Sequence, residues 1–571
     1  MRLNPSINFD LNIWSNPAKP FTEEEEEWIE KSYQDPDFWT TLIPLQKKIS
    51  PTPPTSLLEK EYDFYHDLVL RHMESNSAFV FIEEGGFTTP WNYKKLHKLV
   101  NYQVKKWSNY ALKPGSLIII TTTIHTHFLL ALLTALRLGL TICYLPHDPA
   151  ILTLSQIIEI IDKLHPALVV TDPHNRSLLL STSPIHTIDE LLEEDQNHLP
   201  LSHPYEAKTT LQLSLALQRT NPYTIVPLDA QTCYLHALRD GFMIYNLKPE
   251  VSWATPLASQ ILSEPCHTLA SLICGATKVC IADEILLKDP ELLKEEKIHL
   301  LGVSAKLLKE WPKNLSLKTI KGIYTSPTLF HTKEWKSFLV AQNLEKIPVS
   351  QIWEDNSSGG VVFFSKPAQN STSLHLKPNL GASWSVKDLR SQEVSLSGFG
   401  QFSLDFLPEE NRKQNSNFLF AFQQGDGVMS GTLAPCVQGV TIPIKKIESA
   451  IAELPFVESC MLHPVKMMGS IFTHRLVLLV FIDPLKNELL NSMPPQWREE
   501  ISLQIGKKIG TLFCPDIIEF YALAPKIIDS SIDRDWCAEQ YDRGMLSMKR
   551  KTQFYLFLSI VRKLARKGVL E

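Results

Sequence analysis

From Ala78 onward, short apolar runs alternate with stretches of helical spacing: AFVFIEE, Tyr93 to Tyr110, SLIIITTT, HFLLALLTALRLGL, TICYLP, a helix around Leu152 to Leu164, and ALVVTD. A short run that is apolar throughout reads as a strand buried on both faces, and such strands need helices over each side of their sheet. A second alternating stretch runs from Tyr223 to about Phe364, followed by a strand-rich part containing SQEVSLSGFGQFSLDF. The last unit, from about Gly431 to Leu523, reads strand, helix (Ile444 to Leu454), strand (VESCMLHPV), strand (HRLVLLVFID), helix (Pro495 to Leu512), strand. The expected fold class is therefore α/β, with a large N-terminal body of two mostly parallel sheets plus a strand-rich part, and a small C-terminal α+β domain. Expected boundaries are an N-terminal extension at 1–75, a large domain at 76–430, the small domain at 431–540 and a basic amphipathic tail at 541–571. The polar, acidic stretch from Ile188 to Pro222 reads as a surface connection.

Composition narrows the function classes. The chain has 571 residues, ample for more than one folding unit. It holds only 22 glycines, where average usage would give roughly 40, which disfavours a function built on several glycine-rich phosphate loops. A net charge of -6 leaves no global basic field for nucleic acid. The nine cysteines include no C-x-x-C pair, as expected of a reduced, cytoplasmic chain. The first residues, MRLNPSINFDLNIW, lack a basic segment followed by an apolar one, so no secretory signal is expected. Leu117 to Leu145 is the most lipid-like window, but polar residues interrupt it, and it reads as a buried strand followed by a buried helix.

Near the N-terminus, Thr22 ahead of five glutamates at 23–27 has the form of a capped helix start, and SPTPPTS at 50–56 marks a linker. At the other end, eight Lys/Arg stand against two acids between Tyr541 and Glu571. With Phe554, Tyr555, Leu556, Phe557 and Ile560, they suit a helix that docks on the body or makes peripheral contact with an anionic membrane through 546–567. His125 and His127 fall two apart in an extended reading of TTTIHTHF, and no metal ligands are assigned.

The order of elements resembles the AMP-forming acyl-CoA synthetase, adenylation-domain and luciferase superfamily over roughly residues 78–534. The likeness is best in three places: WNYKKLHKLVNYQVKKWSNYALKPGSLIIITTTIHTHFLLALLTALRLGLTICYLPHDP with ALVVTD, TLASLICGATKVCIAD with LLGVSAKLLKEW, and CVQGVTIPIKKIESAIAELPFVESCMLHPV. In the last of these, Gly439, Ile447 and Glu448 match the family's turn and helix entry.

The resemblance implies ATP and Mg²⁺, and implies that a small carboxylic acid is joined to a thiol acceptor through an acyl-adenylate. It also implies nucleotide-binding positions, which fall on Thr224, Trp353, Asn356 and Asp426. Trp353 would stack on adenine, Asn356 would contact phosphate, and Asp426, after Gly425, would receive the ribose hydroxyls. The segments around Trp253 to Leu257 and Tyr324 to Leu329 match the acid pocket.

The sequence departs from the family at the groups that carry charge. In TIVPLDAQTCYLH only Thr224 remains of the phosphate loop, Val226, Asp229 and Cys233 replace glycines, and Thr232 stands at the lysine position. Pro227 removes a backbone donor and Asp229 would repel phosphate. Ser357 replaces the metal-binding glutamate, and a neutral hydroxyl is a weak ligand for a hard dication. In PKIIDSSIDR the catalytic lysine position falls on Ser531, five residues beyond Lys526. Asp426 lies 13 residues before Gly439, leaving little room for the family's hinge. Two readings therefore stand open: an AMP-dependent ligase of the acyl-CoA synthetase type, or a catalytically inactive relative acting as a binding or scaffold protein.

Overall fold

A computed structural model of the chain describes Ser32 and most of residues 61–543. Outside the described residues lie 1–31, 33–60, 544–571 and stretches between, the longer ones being 147–151, 189–199, 217–223, 255–263, 312–318, 326–337, 341–346, 366–374, 406–413, 467–473, 483–495 and 522–526. The glutamate-rich start, the linker at 50–56 and the tail segment 546–567 therefore fall outside them. The chain divides into two compact units, Met1–His147 with Ile157–Ala434, and Asp148–Gln156 with Pro435–Glu571.

The first unit opens with β1 (Phe79–Ile82) and β2 (Thr88–Trp91), which pair antiparallel, and α1 (Tyr93–Trp107), whose first turn is capped by Asn92 accepting from Lys95 N at 2.8 Å. There follow β3 (Leu117–Thr121), α2 (His125–Arg137), β4 (Thr141–Tyr144), α3 (Leu154–Leu164), β5 (Leu168–Thr171), β6 (Ile185–Thr187), β7 (Thr210–Ala216) and β8 (Thr224–Asp229). These strands form a six-stranded sheet in the order β8-β7-β4-β3-β5-β6, parallel except for the β7/β8 pair. The lipid-like window is thus β3 and α2, and α2 is apolar all round because both of its sides are buried: Phe128 to Leu133 are each at most 4% exposed.

Two local expectations change. His125 is the first residue of α2 rather than part of an extended segment. The stretch read as a surface connection contains β7, TLQLSLA, an interior strand flanked by β4 and β8. Its Leu211, Gln212, Ser214 and Leu215 are all buried, so the polar residues that gave it a surface look are inside the sheet.

The second sheet of this unit is built after α4 (Ala230–Arg239), from β9 (Ser252–Ala254), α5 (Cys266–Ile273), β10 (Thr277–Ile281), β11 (Leu300–Val303), β12 (Gly322–Thr325), β13 (Val349–Asp355) and β14 (Gly360–Phe364). It continues through β15 (His375–Pro378), β16 (Ser383–Lys387), β17 (Gly398–Asp405), β18 (Gln414–Gln423) and β19 (Asp426–Thr432). β1, β10, β9, β11, β12 and β13 are neighbours in parallel, and from β13 onward every pairing is antiparallel. The strand-rich part is accordingly an antiparallel continuation of the second sheet, which reaches 14 strands.

One apolar core joins the two sheets, from Ile118 and Ile120 through Leu129 to Leu133 and on to Phe79, Phe81, Leu300 and Tyr324. It takes in Tyr62, Phe64, Tyr65 and Leu68, beside the short strand Glu61–Tyr62, which pairs with Tyr205–Glu206.

In the second unit, α6 (Ile444–Ala452), β20 (Ser459–Lys466), β21 (His474–Phe481), α7 (Gln496–Lys508), β22 (Ile517–Tyr521) and α8 (Arg534–Asp542) follow in order. The sheet runs β20-β21-β22, with β21 parallel to β22. Ile447, Ile451, Ile501 and Ile505 bring α6 and α7 onto one face, and Cys537 brings α8 onto the other. Glu448 of α6 accepts from Leu462 N at 2.7 Å and pairs with Arg534 at 2.8 Å, tying helix to sheet.

Candidate nucleotide site

The segment matched by resemblance to the phosphate loop forms the junction of β8 and α4. Here β8 is an edge strand paired with β7, from Thr224 opposite Ala216 to Asp229 opposite Thr210, with a register shift between Leu228 and Asp229. Pro227 is tolerated because an edge strand needs only half of its backbone donors. The strand then passes straight into the helix, with no intervening loop.

A helix N-terminus attracts anions because its first N–H groups have no partner within the helix. In α4 those donors are spent within the chain. Ala230 N donates to Thr209 O at 2.9 Å, Gln231 N to Ala207 O at 3.1 Å, and Thr232 N to the Asp229 carboxylate at 2.8 Å. Asp229 is 7% exposed, so its charge sits where a phosphate would have to come. These residues do not fit a nucleotide triphosphate.

A second place where ligands gather in open α/β sheets is the crevice at the strand ends where the connections switch sides. In the first sheet that point is the C-terminal end of β3, because β4 and β5 lie on opposite sides of it. It too is filled by an acid of the chain. Asp172, at the end of β5, accepts from Thr123 N at 2.6 Å, Thr123 Oγ1 at 2.8 Å, His127 Nδ1 at 3.2 Å and Thr122 Oγ1. Burial alone would raise its carboxyl, but the donors of His127, Thr122 and Thr123 outweigh that and hold it at about 2. His127 is thereby committed. Nearby, His125 is pushed down to about 4, first by burial and then by the Lys278 charge, so it stays neutral near pH 7.

The far end of α4 anchors the loop after β13. His236 Nδ1 lies 3.0 Å from Ser358 O, and burial followed by the Arg239 charge drives its pKa well down. Asp240 accepts from Val361 N at 2.8 Å and Asn379 Nδ2 at 2.9 Å, while Arg239, fully buried, donates to Asp240, Val361 O and Leu380 O. Gly359 and Gly360 have φ of 79° and 153°, and a Cβ on Gly360 would lie 2.2 Å from Asp240 Oδ2. This glycine pair therefore serves a turn pressed against a buried ion pair.

Of the four sequence-assigned positions, Thr224 begins the edge strand β8 of the first sheet, whereas Trp353 and Asp426 stand on the second sheet, in β13 and at the start of β19. Trp353 is half-buried, opposite Phe363 and beside a β-bulge. Asp426 opposes Gln423 across the hairpin turn between β18 and β19. Asn356 lies outside the described residues, as do Ser357, Gly425, Gly439 and Lys526. Ser531 pairs with Ile528 in a short hairpin. The next basic group, Arg534, is held by Glu448 and Leu462 O.

Of the segments matched to the acid pocket, Trp253, Ala254, Tyr324 and Thr325 are among the described residues, and the two aromatic ones share a cluster. The rings of Tyr245, Trp253, His267 and Tyr324 lie with centroids 5.2–6.4 Å apart. Into this cluster reaches Glu354, the residue after Trp353, bonded to Tyr245 Oη and His267 Nε2. Sequence reading missed Tyr245, His267, Glu354 and Asp172. Their partners are 22–109 residues away, so no local pattern marks them.

No protein-family model and no curated protein sequence matches this chain. Solved structures do. An A-PCP structure of McyG, complexed with phenylalanyl-adenylate, aligns at 13% identity with a TM-score of 0.56, over 88% of this chain and 100% of its own. The o-succinylbenzoate CoA synthetase MenE from Bacillus subtilis aligns at 12% identity and TM-score 0.65, over 83% of this chain and 97% of its own. The amide bond synthetase McbA from Marinactinospora thermotolerans aligns at 13% identity and TM-score 0.64, over 84% and 99%.

Proposed function

We propose that this chain, which has the fold of the AMP-forming adenylate-ligase superfamily, uses that fold for binding a partner or an acyl group without adenylating a carboxylate. The observation that carries the reading is the N-terminus of α4, where Ala230, Gln231 and Thr232 already donate within the chain and Asp229 supplies the anion. Transferring a phosphoryl group needs preorganised donors and cations at the developing charge, and losing one such group typically costs ~10²-fold or more in rate. The phosphate-loop lysine, the metal-binding glutamate and the C-terminal lysine are replaced by Thr232, Ser357 and Ser531.

The ligase reading draws its support from the similar structures, whose names give an adenylate, a CoA synthetase and an amide bond synthetase. Under it the chain would take ATP, Mg²⁺, a small carboxylic acid and a thiol acceptor, with Trp353, Asn356, Asp426 and Thr224 around the nucleotide. The test is carboxylate-dependent exchange of labelled pyrophosphate into ATP across a broad panel of acids. The binding reading expects no exchange with any acid, and exchange with even one would replace it by the ligase reading.

The boundaries at 76, 431 and 541 belong to this proposal. None of the nine cysteines is in a disulfide, which suits the cytoplasm. Among the described residues no helix is long and apolar enough to cross a membrane.

A further inference from the structure

Three ionised or polar side chains in the second sheet's aromatic cluster form an arrangement that the proposed function does not use. Glu354, in β13 just after the bulge at Trp353, places one carboxylate oxygen, Oε1, against both Tyr245 Oη and His267 Nε2. Burial, and next the Glu354 charge itself, raises Tyr245 far above the ordinary phenol range, so the phenol stays protonated and donates. His267 Nδ1 is buried with no hydrogen-bond partner, which assigns the ring proton to Nε2, facing Glu354. Two donors therefore converge on one carboxylate oxygen, an arrangement that recognises a carboxylate. The acceptor side chain is 18% exposed while His267 is 2% exposed, so the acid is reached from solvent and its donors lie behind it. Trp253 and Tyr324, from the two segments matched to the acid pocket, pack around His267 at 5.2 and 6.4 Å.

We infer that Tyr245 and His267 form a carboxylate-receiving pair that Glu354 occupies as a built-in ligand, closing the pocket to free carboxylic acids. The inference goes beyond the proposed function and does not depend on whether nucleotide binds. It makes Glu354 a specificity-determining residue: with it in place both donors are satisfied, and its charge repels a second carboxylate in surroundings of low polarity. Without it, the vacancy has the shape and donors for a small carboxylate such as acetate.

The test uses the full chain without ATP. Wild type, E354Q and E354A are titrated with sodium acetate against sodium chloride of equal ionic strength, following thermal unfolding and intrinsic fluorescence from the Trp253 and Tyr245 cluster. E354A is expected to lose stability and to show saturable acetate binding at least about tenfold tighter than wild type, given two donors to a charged acceptor. E354Q, which still fills the space, is expected to behave like wild type. Should E354A be unfolded in chloride, recovery of the folded chain in acetate supports the inference, and failure to recover in either salt overturns it. A folded E354A with no saturable response, or a wild type that binds acetate equally well, overturns it too.

Discussion

Two strand-to-helix turns of the first sheet, β3–α2 and β8–α4, solve the same problem in different ways. They lie at opposite ends of the sheet, because β8 runs antiparallel to β7, and at each a carboxylate of the chain takes a backbone donor of the turn. At β8–α4 the acid is Asp229, the residue before the helix, which takes one N–H while two carbonyls take the rest. At β3–α2 it is Asp172, from a neighbouring strand, fully buried and bonded to Thr122, Thr123 and His127. The local acid is a cap that many residues could replace, whereas the remote one is a buried charge whose donors depend on it. Similar closure to external anions therefore comes with unequal stakes for stability.

The largest effect is expected from D172A, which leaves several buried donors without an acceptor and should lower unfolding free energy by about 3 kcal/mol in urea. A loss no larger than that of D229A would break the contrast between the two turns. Next comes pH. Asp172 has its folded pKa depressed from 3.8 to about 2, so its contribution is complete above the unfolded value and is lost as pH falls through the folded one. Linkage puts that contribution at about 2 kcal/mol. Wild-type stability should therefore fall between pH 4 and pH 2 by more than that of D172N. Parallel profiles would show that Asp172 is not the group titrating.

The smallest effect is expected from D229A, about 1 kcal/mol as for an ordinary N-cap. That variant sharpens the functional side of the comparison. Because Ala230 N and Gln231 N remain bonded to Thr209 O and Ala207 O, removing the acid should not create ATP binding. Micromolar ATP binding by D229A would make the carboxylate alone responsible for closing the site.

The same pair of turns shows what a sequence can disclose. Asp229 ahead of α4 is a capping signal three residues long, and its conflict with phosphate is visible in TIVPLDAQTCYLH. The alternation of β3, α2, β4 and β5 is visible for the same reason, since each run is apolar over its own length. Asp172, by contrast, bonds to residues 45–50 positions away, and Glu354 to residues 87 and 109 away. Each is an ordinary acid in the string, and only the parallel crossovers bring it to its donors. β7 was obscured for a related reason: Gln212 and Ser214 are polar residues inside a sheet, and pattern alone sends them to the surface.

The donors at the N-terminus of α4 that would have to hold a nucleotide triphosphate are committed inside the chain. Titration calorimetry of the full chain with ATP and Mg²⁺ tests this most directly, because it needs no knowledge of the acid, the thiol or the partner. The account predicts no binding heat at concentrations where a micromolar site would saturate. Binding with a micromolar dissociation constant would contradict it.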